Sequence, residues 1–176
     1  MAKKGYIVEA DLQAKTVSTY NRSATCATDV DGGNLVTVGD MVKDVYTATL
    51  GTTGANLGFW MAYNPTERLT KVGDNSYASL SLDPRDYTNL AGRTFDIFKP
   101  QVEDLIVITV PNIKANDVVA KDKFLEPYTG GLVTVKDTQT ASSTSFKVLQ
   151  VLSIPFPQAG IGMEFAVAYK VKCVAN

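Results

Sequence analysis

The sequence predicts an all-β protein built as a β-barrel or β-sandwich, and three observations carry that expectation. Apolar residues alternate with period two in segment after segment, while no amphipathic stretch of ten or more residues follows a helical period. The alternating segments are rich in β-branched and aromatic residues. Between them lie turns made of Gly, Pro, Asn and Asp. At 176 residues the chain can bury one good core or two small ones.

Residues 1–30 are expected to form an extended N-terminal arm. After YIVEA, the stretch DLQAKTVSTYNRSATCATDV is polar with scattered apolar residues, the pattern of a rim element or of a strand pairing outside its own core. A β-rich globular domain is expected over 31–176, with a subdivision near 110–116. DGGN (31–34) opens it, VKDVYTATL (42–50) reads as a strand and LGTTGANLG (50–58) as a turn. GFWMAY (58–63) is apolar on both parities, so this strand is expected to be covered on both faces. VGDN (72–75) turns into SYASLSL (76–82), and a further strand is expected over 94–98. DLIVITV (104–110) is again two-sided, whereas the alternating charges of ANDVVAKDK (115–123) suggest a solvated turn. YTGG (128–131) is a further turn. In SFKVLQVLSI (145–154), simple parity puts Phe146 and Val148 on one face and Leu149 and Val151 on the other. PFPQAGIG (155–162) reverses the chain into EFAVAYKVKCV (164–174), where Phe165, Val167, Tyr169, Val171 and Cys173 share a face. A faint echo links GGNLVTVGD (32–40) to GGLVTVKD (130–137), and GFWMAY to EFAVAY (164–169). A duplication of two related small β units would produce it; so would the habit of hairpin strands to begin after Gly-Gly.

SLDPRDYTNLAG (81–92) is the most functional-looking cluster. Asp83 before Pro84 is a helix-start pattern, with an acceptor at the N-cap and a ring of fixed φ at the first helical position. Asp86 then sits where a carboxylate faces the free N–H groups of the first turn, and Gly92 can close the element in a left-handed conformation. The stretch is expected to be a short helical corner, with Arg85 paired to a carboxylate and Tyr87 laid on a sheet. An Asp83–Asp86 acid and base pair is the catalytic alternative, but nothing nearby would set their environments apart.

The chain contains no histidine. That removes the usual general base near neutral pH, Ser-His and Cys-His nucleophile pairs, and the commonest metal ligand. Cys26 and Cys173 alone cannot make a four-ligand zinc site or a disulfide framework. Glu103 and Asp104 lack the oxygen density a calcium site needs, and the glycines match no phosphate-cradling pattern. No catalytic, cofactor-binding or metal-binding residues are therefore assigned, and the protein is expected not to be an enzyme. A net charge of −1 argues against nucleic acid as a partner. The absence of any long apolar run argues against a membrane span and a secretory signal.

The ordered set GGNLVTVGDMV, LSLDPRDYTNLAGRTFDIFKPQVEDLIVIT, KDKFLEPYTGGLVTVKDT and TSFKVLQV, spanning roughly residues 30–150, resembles small virion proteins of tailed bacteriophages that decorate or cement the head or stand on it as fibres. The resemblance implies a β-tulip-like fold, a place on the capsid surface after synthesis in the bacterial cytoplasm, the major capsid protein as partner, and homo-oligomers at symmetry axes. Contacts are expected from the arm at Lys3, Lys4, Tyr6, Ile7 and Val8, which could add a strand to a neighbouring sheet. The competing expectation is a carbohydrate- or peptide-binding β module on a virion or cell surface, with Tyr20, Tyr63, Tyr77, Tyr87 and Tyr128 as stacking candidates.

Overall fold

The computed structural model of the chain describes residues 3–14, 22–54, 57–66, 69–72, 75–78, 81–158 and 162–176, with backbone alone for 69–72, 75–78 and 158. The fold is all-β, and among the described residues the helical content is four 3-10 turns of three residues each. Five strands close a barrel in the order β1-β3-β2-β4-β7, formed by β1 (Arg22–Cys26), β2 (Leu35–Val42), β3 (Val45–Leu50), β4 (Trp60–Ala62) and β7 (Thr94–Phe98). Between β4 and β7 runs a two-stranded ribbon of β5 (Leu69–Val72) and β6 (Asn75–Ala78). The rest of the chain makes a five-stranded sheet in the order β10-β9-β11-β12-β8. Its strands are β8 (Leu105–Thr109), β9 (Phe124–Pro127), β10 (Val133–Lys136), β11 (Ser145–Gln158) and β12 (Gly162–Ala175).

Strand pleating explains how one chain serves both units. Successive side chains point to opposite faces, so Val36, Ala62 and Ile97 fill the barrel while their neighbours Leu35, Met61 and Phe98 point out of it towards the sheet. Ala24, Ala48 and Ala62 keep the barrel interior narrow enough for five strands to close. Leu35, Phe59, Met61 and Phe98 of the barrel join Ile106, Ile108, Leu125, Phe146, Val148, Tyr169, Val171 and Cys173 of the sheet in one shared core. This accounts for the two-sided reading of GFWMAY. Cys173 is the small buried hydrophobe its face suggested, and both cysteines are free thiols.

Five expectations need correction. The N-terminal segment is extended but does not reach away from the chain. Ile7 is fully buried and bridges Ile108, and Gln13 bridges Leu105, so residues 3–14 run along β8 as an additional edge of the chain's own sheet. Arg22–Cys26, read as part of the arm, is a barrel strand paired with both β3 and β7. The change of unit falls at residues 99–104, between β7 and β8, rather than near 110–116. The two echoing segments do not build like units: β2 pairs with β3 and β4, whereas β10 pairs with β9. Finally, a bulge between Val148 and Gln150 inserts one residue into β11. Val148 and Val151 lie opposite Val171 and Tyr169, so they share a face that simple parity had split.

Candidate functional site

The DPRDY corner holds the densest charge in the structure, and its geometry is that of a clasp. Pro84–Asp86 form a 3-10 turn whose N-cap, Asp83, accepts the Arg85 backbone N–H at 2.9 Å, and Gly92 further on has φ +73°. The Arg85 guanidinium folds back on Asp83 at 2.7 Å and also pairs with Glu164 of β12. Its Cζ lies 4.1 Å from the centre of the Phe156 ring on β11. Lys3 bonds both Asp83 and Asp86 at 2.8 Å, and Ser81 donates to Asp86. Tyr87 is buried, its hydroxyl donating to the Ser81 carbonyl at 2.6 Å. Burial alone would raise the Asp83 carboxyl, but the Arg85 and Lys3 donors outweigh it and hold it below the ordinary carboxylate range. Burial likewise works against the Lys3 ammonium, and its two carboxylate partners raise it above its ordinary value. With its polar atoms committed to one another, the corner ties the N-terminal segment to the β11–β12 hairpin, and no substrate position lies between the two carboxylates.

Two asparagines, overlooked in the sequence, fix the N-terminal segment from its other side. Asn64 accepts the Ile7 N–H at 2.8 Å and donates to the Ile7 carbonyl at 2.7 Å, the two bonds a neighbouring strand would make. Asn112 accepts the Tyr6 N–H and donates to the Gly32 carbonyl and to the Asn34 side chain. Of the residues expected to meet a partner, Ile7 lies in the shared core, and Val8 packs with Val107, Phe156 and Ala168. Tyr6 meets the Phe156 ring edge-on at 5.9 Å, and the Lys4 N–H donates to the Arg85 carbonyl. Of these five, Lys3, Lys4 and Tyr6 are half-buried, and Ile7 and Val8 are buried.

The hairpin carries the principal exposed apolar surface. Its inner face, with Phe156, Ala168, Leu152 and Ile154, packs against Tyr6, Val8 and Val107. The opposite face continues the core face of the sheet: Tyr169, Val171 and Cys173 are buried against the barrel, and beyond them the same face emerges into solvent. There Val151 lies opposite Tyr169, Ser153 opposite Val167, Pro155 opposite Phe165 and Pro157 opposite Met163. Phe165 is 69% and Met163 66% exposed, with Val151 and Val167 each near half. No charged side chain interrupts this stripe.

The remaining candidates resolve simply. Asp104 accepts the Gln101 N–H within a turn, and Glu103 pairs with Lys172 at 3.2 Å. Burial pushes the Cys173 thiol up to about 12, so it is no nucleophile near neutral pH. Tyr63 packs edge-on to Phe98, and Tyr128 lines a surface cleft. Tyr20 and the Tyr77 side chain lie outside the described residues. Comparison with known proteins returns no matching family model and no matching curated protein.

Proposed function

We propose that the chain is a non-enzymatic structural protein of a tailed-phage virion, which binds the major capsid lattice as a decoration or cement protein and self-associates at symmetry axes. The observation that carries this reading is the free face of the β11–β12 hairpin, where Val151, Met163, Phe165 and Val167 extend a core-type surface beyond the barrel. Contiguous apolar patches of about 300–600 Å² on a monomer are frequently functional. This one lies on a hairpin braced at its back by Phe156 and by the Arg85–Glu164 pair, so docking would not require the surface to be ordered first. Adhesion needs area and rigidity rather than displaced pKa values, which suits a corner whose charges are matched internally. Near-zero net charge limits repulsion among many copies on one shell.

The test is co-sedimentation of the purified protein with mature heads that lack it. Saturable binding at a fixed ratio to the major capsid protein is expected. The doubly substituted Met163→Ser, Phe165→Ser protein is expected to fold with unfolding free energy within about 0.5 kcal/mol of wild type and to stay in the supernatant. Failure of the wild-type protein to bind any head preparation would discard the capsid reading.

A further inference from the structure

A cleft of about 270 Å³ opens over the outer face of the β9–β10 ribbon. The ladder places Glu126 opposite Thr134, both turned away from the core face that Leu125 and Val133 share. Lys114, Tyr128, Lys136 and Thr140 line the cleft together with these two. Glu126 is only 6% exposed, yet makes no ion pair among the described residues. Its oxygens accept the Thr140 N–H at 2.6 Å and the Thr140 hydroxyl at 2.9 Å. A carboxylate has about four acceptor directions, so half of its capacity remains for a donor entering the cleft. A buried carboxylate without a cation is an unusual expense for a fold to bear.

Lys114 holds its ammonium 4.9 Å from the centre of the Tyr128 ring and makes no hydrogen bond or ion pair among the described residues. The Lys136 ammonium likewise makes no hydrogen bond or close ion pair among them. Outside the lining, Asp117 accepts from the Thr134 hydroxyl and the Val135 N–H, and both lysines act on it through space. The lining thus sets two cations beside one carboxylate, and Asp117, outside the lining, supplies the second carboxylate that offsets them, so no strong excess of either sign remains. What remains is a mixed set of strong donors and strong acceptors beside an aromatic ring, which matches adjacent hydroxyls on a ring with an apolar face. The volume sits just under the range of about 300–1,000 Å³ found for drug-sized ligands.

We propose that this cleft binds a neutral saccharide, with one pyranose ring against Tyr128, Glu126 accepting from its hydroxyls, and Lys114 and Lys136 donating to them. The inference does not rest on the capsid reading. The cleft lies on the opposite face of the sheet from the exposed hairpin stripe and at the β10 edge, away from β8. Occupancy of one surface therefore leaves the other open.

The experiment is an amide-resolved NMR titration of the full chain with methyl glycosides of glucose, galactose, mannose and N-acetylglucosamine, with inorganic phosphate as a separate probe. At least one glycoside is expected to shift the amides of Gly54, Lys114, Tyr128, Thr134 and Lys136 in a saturable way, with millimolar affinity. Glu126→Gln and Lys136→Met are each expected to weaken it about tenfold, a change that corresponds to ~1.4 kcal/mol, and Tyr128→Ala to abolish it. Lys136 is exposed, so its variant keeps the test alive if another unfolds. Shifts with phosphate alone, no shift with any glycoside, or glycoside shifts that survive all three substitutions would each overturn the proposal.

Discussion

Asp83 accepts from the Arg85 backbone, the Arg85 guanidinium and the Lys3 ammonium while almost wholly buried. Removing one partner of a buried pair leaves the other charge uncompensated, at a cost of about 3–5 kcal/mol. Asp83→Ala is expected to cost less than that, about 1–3 kcal/mol in urea denaturation, because Glu164 still holds Arg85 and Asp86 still holds Lys3 while the buried guanidinium and N–H lose their acceptor. Asp86→Ala is expected to cost less again because Asp83 still holds Lys3. The carboxyl's folded-state pKa is depressed, so its stabilisation is complete above the unfolded value of about 3.9 and is lost as pH falls through the folded value. Lys3 runs the other way: its contribution is complete below the unfolded value of about 10.4 and is lost as pH rises through its raised folded value. With no histidine side chain to titrate in between, the urea midpoint is expected to be nearly flat from about pH 5 to pH 8, and to fall above that, where the Cys173 thiol ionises in the unfolded chain at about 8.5 but stays protonated in the fold. A step in that window would mean that another group governs stability. The cap was legible from Asp-Pro alone because capping is local. The Lys3 and Glu164 partners were not, since residues about eighty positions away in either direction leave no local trace.

Among the elements, the β2–β3 hairpin shows local strain that can be relieved. Its two turn residues, Lys43 and Asp44, have φ of +51° and +64°, the pairing that a two-residue hairpin turn asks of Asn-Gly. Replacing them with Asn-Gly is expected to stabilise the protein by about 0.5–1 kcal/mol, read as a higher urea midpoint at unchanged slope; a lower midpoint would show that this turn is not strained. The strands themselves were readable from period-two alternation, but two features hid from it. β11 is apolar on both parities around Leu149, so the bulge that reverses its faces had no signature in the pattern. Residues 3–14 and Arg22–Cys26 read as parts of an extended arm because the stretch after YIVEA is polar with only scattered apolar residues. Their order comes from Asn64, Asn112 and backbone ladders supplied by distant parts of the chain. The candidate surface was half legible: Phe165, Val167 and Tyr169 were correctly placed on one face, but where the barrel stops covering that face is a matter of tertiary geometry.

For the whole molecule, the decisive feature is that the barrel and the sheet share one core, with Leu35, Phe59, Met61 and Phe98 packed on the residues of β8, β11 and β12. Neither unit can lose the other without exposing this surface, so unfolding is expected to be a single cooperative transition. Trp60, the one tryptophan, reports on the barrel, and far-ultraviolet dichroism is weighted by the long hairpin. The two probes are expected to give coincident urea midpoints. A tryptophan transition clearly ahead of the dichroism would show two independently stable units instead. Most of the ladders join segments far apart in sequence, which places refolding in the slower range of milliseconds to seconds.

The amide staples also bear on how the protein ages. Asparagine is among the thermolabile side chains, and hydrolysis of Asn64 to an aspartate would turn a donor into a second acceptor facing the Ile7 carbonyl and the carboxylate of Glu9. Asn112 would lose its hold on Gly32 in the same way. Long storage in the heat would thus wear first at the seam that holds residues 3–14, while the barrel staves stayed whole.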